Sequence, residues 1–236
     1  MDVRFLDGSG TPVSSPLGKV DAAAVVRGRP VRPFPSYRGQ RNYPGWLWTA
    51  TTGSLVAYES LLERDRLWLA DFDPTVRWIA SQPFWLTTRE GSASHRHVPD
   101  FLVEHVDGGY TVVDVKPEDL VMTPEVAAVF EWTAGLCLAK GWRYEVWSGE
   151  DPIRLRNLRF LAAGRRMEWV DRDALVKVAA AGAPGMILGQ IEASAGGVRA
   201  TARVALMSLL WFGHWTTDLS RPLSPQSVIE AAGVAA

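Results

Sequence analysis

Cysteine is almost absent from this chain of 236 residues, because Cys137 is its only cysteine. One cysteine excludes an internal disulfide and a cysteine zinc cluster, and it is typical of proteins of the reducing cytoplasm, where we expect this protein to reside. No long apolar run occurs, so neither a transmembrane helix nor a membrane partner is expected. Residues 1–15 lack the basic start and apolar core of a secretory signal, and none is expected.

Excess charge of either sign is also missing. The formal net charge is −1 at pH 7, so the protein has no overall basic field, and any contact with DNA must be made by a local patch. Glycine-rich phosphate loops and the GxSxG nucleophile motif are absent. The chain is therefore not expected to hydrolyse ATP itself.

One local basic patch occurs near the N-terminus. No acidic residue lies between Ala22 and Tyr58, and this stretch is rich in arginine and aromatic residues. The prolines of residues 1–50 argue against a long helix, so this segment is predicted to be an extended N-terminal arm. Its Arg38 and Arg41 are candidates for contacts with DNA phosphates. Alternatively, the arm packs its aromatic side chains on the main domain, and the residues leave both interpretations open.

A helix is predicted from Thr51 to Asp71, where apolar residues recur with helical spacing and Ser54 is a plausible N-cap. Glu59 and Glu63 would lie one turn apart on the same side of this helix. Either glutamate could therefore supply a carboxylate to a site beside the helix.

The most informative stretch runs from His97 to Lys116 and has the pattern of two short strands joined by a tight turn at residues 107–109. Asp100 stands where the first strand begins. Asp114 and Lys116 stand near the end of the second strand, and residues with this alternate spacing share one face. The hairpin thus brings two carboxylates and an amine together at one edge of a sheet.

The polar, serine-rich residues 87–97 before this hairpin are predicted to form a loop. His95 and His97 at its end are candidates for contact with a DNA phosphate. A zinc site is not expected there, because no further ligands follow at a usable spacing.

A second helix is predicted from Pro124 to Lys140, ended by Gly141, with a strand over residues 144–148. Strands with a helix before and after the hairpin indicate an α/β fold, a mixed sheet flanked by helices. Residues 51–149 would form this domain. Residues 150–236 change to helical segments followed by a short hairpin, which predicts a mostly helical, winged-helix-like C-terminal domain.

Paired carboxylates beside an amine suit metal-dependent hydrolysis of a phosphodiester. Mg²⁺ prefers carboxylate, carbonyl and water ligands, and Mn²⁺ can substitute for it. Asp100 and Asp114 would bind the metal, with the backbone carbonyl of Val115 as a further ligand and Glu63 supporting it from the helix side. Lys116 would orient or deprotonate the attacking water, or stabilise the charge of the pentavalent phosphate.

The order of these motifs resembles a known family. A helix glutamate, then Pro99-Asp100, then the Asp-x-Lys of Asp114 and Lys116 is the pattern of the PD-(D/E)XK, or restriction-endonuclease-like, superfamily. The segment ESLLERDRLWLADFDPTVRWIASQPF, followed by HVPDFLV and VVDVKP, is similar to TnsA, the endonuclease subunit of heteromeric transposases. In this resemblance the best-known TnsA branch has glutamine at the position of Asp114, where this chain has the acid usual in the wider superfamily.

The resemblance implies a catalytic set of Glu63, Asp100, Asp114 and Lys116, with Glu63 preferred over Glu59. It implies a restriction-endonuclease-like core and nicking of the 5′ ends of a transposon in double-stranded DNA. It also implies two partners, an integrase-like transposase subunit and an ATPase regulator, and a bacterial-type, nucleoid-associated location. Two other functions stay open on the residues alone: a stand-alone nuclease of restriction or repair type, and a non-catalytic DNA-binding scaffold subunit.

Overall fold

The computed structural model describes residues 1–33, 42–90 and 93–231, and of residues 89, 90 and 93–95 it describes the backbone only. Contacts divide the chain into an N-terminal unit, Met1–Gly149, and a C-terminal unit, Glu150–Ala236. The strands of the N-terminal unit are β1 (Asp2–Leu6), β2 (Pro12–Pro16), β3 (Gly45–Thr49), β4 (Ser54–Tyr58), β5 (Val76–Ser81), β6 (Trp85–Glu90), β7 (Ala93–His97), β8 (Phe101–His105), β9 (Tyr110–Val115) and β10 (Arg143–Trp147). Its helices are α1 (Ala22–Val26), α2 (Leu61–Phe72), α3 (Glu118–Val121) and α4 (Pro124–Lys140).

The central sheet has the strand order β10-β9-β8-β5. Strands β8 and β9 form the predicted antiparallel hairpin, with Phe101 opposite Val113. Gly108 has a φ of 79° in the turn, a conformation that glycine adopts without steric cost. Strand β10 then runs parallel to β9, with Val146 opposite Asp114. A parallel neighbour needs a crossover connection, which α3 and α4 provide.

Both faces of the central sheet are covered, as its apolar strands require. Leu102 and Val112 belong to one buried cluster, whereas Phe101, Val103 and Val113 belong to another. Alternate side chains of one strand point to opposite faces, so each strand contributes to both cores. This burial on two sides holds the hairpin rigidly in place.

The predicted helix Pro124–Lys140 is confirmed with the same bounds as α4. Pro124 occupies the first turn, where a missing amide proton costs nothing, and Gly141 ends the helix with a φ of 77°. Cys137 is buried on this helix. Burial raises the pKa of its thiol to about 12, so the cysteine is a small apolar core residue.

The predicted helix over Thr51 to Asp71 is wrong in its first half. Strands β3 and β4 pair there as a hairpin with Leu47 opposite Val56, and α2 begins only at Leu61. Gly53, with a φ of 61°, makes the turn. The N-cap is Ser60, whose side chain accepts the amide proton of Glu63.

The predicted arm of residues 1–50 is also wrong where the structure describes it. Strands β1 and β2 pair with each other. The other edge of β1 pairs with β6, and β6 pairs with β7, so the four strands form a second sheet of order β2-β1-β6-β7. Val3, Phe5 and Val25 are buried in the same cluster as Leu102. The segment therefore folds into the N-terminal unit, because its apolar side chains complete that core. Arg38 and Arg41 lie outside the described residues.

Residues 87–97, predicted to be a loop, instead contribute the antiparallel pair β6 and β7, with Thr87 opposite Arg96. Polar residues predominate here, but both strands are held by backbone pairing, and β6 also pairs with β1. The consequence for function is that His97 stands at the end of a strand. The side chain of His95 lies outside the described residues.

The C-terminal unit contains the predicted helices, α5 (Pro152–Leu161), α6 (Arg172–Ala181), α7 (Leu188–Ser194) and α8 (Arg199–Trp211), followed by the antiparallel strands β11 (Trp215–Thr217) and β12 (Ile229–Ala231). Helix α8 is its core element, since Leu206, Leu210 and Trp211 are all buried. Its winged-helix character stays a prediction. Within the described ranges, no helix is both long and apolar enough to cross a membrane.

Candidate active site

One cavity of about 520 Å³ gathers the residues that the sequence singled out. Glu63, Asp100, Asp114, Val115 and Lys116 all line it. The antiparallel pairing of β8 with β9 brings Asp100 close to Asp114 and Val115, because the start of β8 lies beside the end of β9. Helix α4 contributes a further wall through Glu125, Val126, Val129 and Phe130.

Asp100 is held by backbone contacts on two sides. Its Oδ2 accepts the amide proton of Val115 at 2.7 Å, and its carbonyl oxygen accepts that of Gln82 at 2.8 Å. Gln82 has a φ of 43°, which is rare for a residue other than glycine, and its side chain is buried. Its backbone carbonyl accepts from Val31. Gln82 thus helps to hold the start of β8 in place.

Asp114 is buried, with 2% of its surface exposed. The hydroxyl of Tyr144 donates to its Oδ2 at 2.6 Å. The Nε2 of His97 lies 2.9 Å from Oδ1 and 3.0 Å from Oδ2. His97, which was predicted to contact phosphate, therefore contacts a carboxylate in this structure, and both Asp114 oxygens have a partner.

Tyr144 was not identified from the sequence as a site residue. Burial, followed by the negative charge of Asp114, raises the pKa of its phenol far above the usual value. The phenol therefore stays protonated and donates to Asp114. The parallel pairing of β10 with β9 brings Tyr144 next to Asp114. Its sequence segment, YEVWS, predicts a strand but does not indicate a residue of the site.

Asp100 lies in a strongly negative environment. Burial raises the pKa of this carboxyl well above its usual value, and the charges of Glu63 and Asp114 raise it further. The hydrogen bond from Val115 opposes this shift. Close carboxylates that stay unneutralised are costly in a buried site, so the cluster favours either a proton or a cation.

Glu63 also caps its own helix. Its Oε2 accepts the amide proton of Glu59 at 2.7 Å, and its Oε1 accepts the hydroxyl proton of Ser60 at 2.8 Å. Ser60 in turn accepts the amide proton of Glu63 at 3.1 Å. This arrangement is a variant of the capping box, in which the glutamate reaches the amide of the residue before the N-cap, and its Ser-x-x-Glu signature is visible in the sequence. Burial raises the pKa of Glu63, and the two hydrogen bonds that it accepts oppose the rise.

Glu59, the alternative carboxylate, was expected on the same helix side as Glu63, but it precedes α2. Its Oε2 forms an ion pair with Arg32 at 3.1 Å. Glu59 is not among the described residues that line the cavity, whereas Glu63 is. Glu63 therefore shares the cavity lining with Asp100 and Asp114, whereas Glu59 acts on Asp100 only through its charge.

Lys116 follows β9 and lines the cavity with Asp114. Its amide donates to the carbonyl of Trp147 at 2.9 Å, which extends the pairing with β10 past the end of the strand. Backbone pairing on this side keeps Lys116 extended. Lys116 thus lines the same cavity as the three carboxylates, and its catalytic role stays a prediction.

The donor set fits a hard divalent cation, since the carboxylates of Glu63, Asp100 and Asp114 all line the cavity and the charges of the other two raise the pKa of Asp100. Within the described part of the chain, no three His, Cys, Asp or Glu side chains already converge as a metal site. Two of these carboxylates are instead engaged by protein groups, since Asp114 contacts His97 and Tyr144, and Glu63 caps its helix. A metal bound in this cavity would be held by Asp100 and Asp114, with Glu63 and the carbonyl of Val115 as further candidate ligands.

A comparison with protein families finds a match within the N-terminal unit. Residues 73–149 match the family model described as TnsA-like endonuclease N terminal. No curated protein matches the chain. The matched range contains Asp100, Asp114 and Lys116, and it begins just after α2, which carries Glu63. The mixed α/β architecture is consistent with such a domain, and residues 73–149 are therefore similar to the N-terminal domain of TnsA-like endonucleases.

Proposed function

We propose that this protein is a metal-dependent DNA endonuclease, the subunit of a TnsA-like transposase that nicks the 5′ ends of a transposon. The observation that carries the proposal is the single cavity lined by Glu63, Asp100, Asp114 and Lys116 within and beside the matched family domain. Mg²⁺ is the expected cofactor, and Mn²⁺ would substitute for it.

The chain's own residues have distinct tasks in this proposal. A bound Mg²⁺ would supply an activated water and neutralise charge on the phosphate. Asp100 and Asp114 hold the cation, and Tyr144 fixes the orientation of Asp114 through its 2.6 Å hydrogen bond. Lys116 orients or deprotonates the attacking water, or stabilises negative charge on the phosphate in the transition state. Glu63 supports the site from α2.

The proposed substrate is double-stranded DNA at transposon ends. The proposed partners are an integrase-like transposase subunit, which would process the 3′ ends, and an ATPase regulator. These partners follow from the resemblance to TnsA. Nicking by the chain alone is expected to be weak and to be stimulated by them.

A stand-alone nuclease of restriction or repair type is the second candidate. One observation favours it: Asp114 is the acid of the wider superfamily, whereas the best-known TnsA branch has glutamine there. A non-catalytic scaffold is less consistent with the site, because an unneutralised carboxylate cluster would repel the phosphates of bound DNA.

The test is nicking of a plasmid that carries transposon ends, by the chain reconstituted with its partners. We expect Mg²⁺-dependent nicking by the natural protein, and loss of about a hundredfold or more for Asp114→Ala and Lys116→Ala. Glu118→Ala, an exposed acidic position on α3, is the control and should nick normally. Equal nicking by all four proteins would refute the site assignment. Nicking without partners or transposon ends would favour the stand-alone nuclease.

A further inference from the structure

An arginine stacked on a tryptophan stands beside the carboxylates, in the lining of the same cavity. Trp85 of β6 and Arg96 of β7 both line it. The guanidinium carbon of Arg96 lies 3.5 Å from the centre of the Trp85 ring. This contact follows from the strand register, because Arg96 is opposite Thr87, and Thr87 shares a face of β6 with Trp85. Stacking orients the guanidinium while its donors stay available.

Arg32, a second arginine of the cavity, has its charge already engaged. Its Nη2 donates to Glu59 at 3.1 Å, and its Nε lies 3.4 Å from the side-chain oxygen of Gln82. Arg96 differs, since it is exposed, and among the described side chains no carboxylate lies within ion-pairing distance of it. Among the described residues that line this cavity, Arg96 is thus an arginine without a carboxylate partner, and its N–H groups can bind an anion.

The charges that line the cavity indicate what Arg96 could bind. Asp100 and Asp114 line the cavity as close carboxylates, and such carboxylates repel a DNA backbone where no cation neutralises them. Arginine forks match phosphate oxygens in geometry and charge. An arginine on the exposed part of the lining can therefore hold a phosphate near the carboxylates, at a distance where the phosphate does not contact the carboxylates.

We propose that Arg96, oriented by Trp85, is a binding site for a backbone phosphate of duplex DNA at the entrance of the cavity. This inference rests on the proposed function, since it assumes that DNA enters the cavity. It assigns binding to a strand pair, β6 and β7, rather than to the arginines near the N-terminus. Recognition of a phosphate carries no base preference, so Arg96 positions the DNA backbone and does not read its sequence.

Binding of a fluorescent duplex to the full chain in EDTA, followed by anisotropy over a series of salt concentrations, tests this inference. We expect Arg96→Ala to weaken binding about tenfold and to lower the slope of log K against log salt by about one, as for one lost phosphate contact. Arg96→Lys keeps a charge, so it should keep the slope. Arg77→Ala, at an exposed arginine outside the cavity lining, should bind as the natural protein does.

The results of these experiments distinguish failure of the phosphate site from failure of the proposed nuclease function. If the natural protein nicks DNA through Asp114 but Arg96→Ala binds with the affinity and salt slope of Arg77→Ala, the phosphate site is refuted and the nuclease stands. If the natural protein neither binds duplex DNA nor nicks it with its partners, the proposed function and the phosphate site fail together.

Discussion

The hydroxyl of Tyr144 donates a 2.6 Å hydrogen bond to Oδ2 of Asp114, and the two residues belong to neighbouring parallel strands. The raised pKa of Tyr144 keeps this donor protonated. Asp114 is thereby fixed from β10, while Asp100 is fixed from β9 through the amide of Val115. The two carboxylates proposed to hold the metal are therefore oriented by the central sheet itself.

Tyr144→Phe removes this donor and leaves a buried carboxylate with one partner fewer. Hydrogen bonds to charged groups contribute about 1.5–3 kcal/mol, so we expect the free energy of unfolding in EDTA to fall by about that amount. Urea denaturation followed by circular dichroism measures it.

The matched control is Tyr110→Phe, because the Tyr110 hydroxyl has no hydrogen-bond partner among the described residues, while its ring packs near Trp142. This variant should change the free energy of unfolding by less than about 0.5 kcal/mol. Equal stability of the two variants would show that the bond to Asp114 contributes little.

Asp100→Asn should stabilise the metal-free protein at neutral pH. The pKa of Asp100 is raised in the folded state, so the folded protein holds this proton more tightly than the unfolded chain does. Its contribution to stability is fully present below the unfolded value near 4, and it is lost as pH rises through the raised pKa. Asparagine can still accept the amide proton of Val115 without carrying a charge.

Thermal unfolding of both proteins in EDTA, from pH 4 to pH 8, measures this effect. The melting temperature of Asp100→Asn should exceed that of the natural protein at pH 8, and the difference should shrink towards pH 4. A difference that is constant over this range would contradict the raised pKa of Asp100.

Ser60→Ala tests the capping box that holds Glu63. It removes the acceptor for the amide of Glu63 and the donor to its carboxylate, and loss of such a cap costs about 1 kcal/mol. Ser60→Thr, which keeps a hydroxyl, should recover most of the free energy of unfolding. If Ser60→Ala is as stable as the natural protein, Glu63 is not held by this contact.

Asn157→Ala tests the C-terminal unit independently. The buried side chain of Asn157 donates to the carbonyls of Leu219 and Arg221 and accepts from the amide of Leu223. Its removal leaves three backbone groups without this partner, and we expect a loss of about 3 kcal/mol in the free energy of unfolding, together with faster proteolysis between residues 219 and 223. Arg156→Ala, an exposed neighbour on α5, should do neither.

Local signals explain which elements could be predicted from the sequence. The hairpin of β8 and β9 has its glycine turn, and α4 has Pro124 at its start and Gly141 at its end. These features depend on residues close in the chain. The positions of Asp100, Asp114 and Lys116 in one cavity followed from that hairpin alone.

Pairings between distant segments could not be predicted in the same way. Strand β1 pairs with β6, which lies far away in the sequence. Because of this pairing, the segment that was expected to be an arm is part of a sheet. Residues 51–58 carry apolar side chains at spacings that fit a helix as well as a strand, and the partner strand β3 decides between them. The contacts of His97 and Tyr144 with Asp114 likewise depend on tertiary packing.

The central claim is that Asp100 and Asp114 form a divalent-metal site for hydrolysis of DNA. Its most direct test is strand nicking of a transposon-end plasmid by the reconstituted chain as Mg²⁺ is titrated. The natural protein and Asp119→Ala, an exposed acidic control on α3, should nick with the same Mg²⁺ dependence, whereas Asp114→Ala should nick about a hundredfold more slowly or worse at every Mg²⁺ concentration. Nicking by Asp114→Ala at the natural rate, or undiminished nicking by the natural protein in EDTA, would contradict the claim.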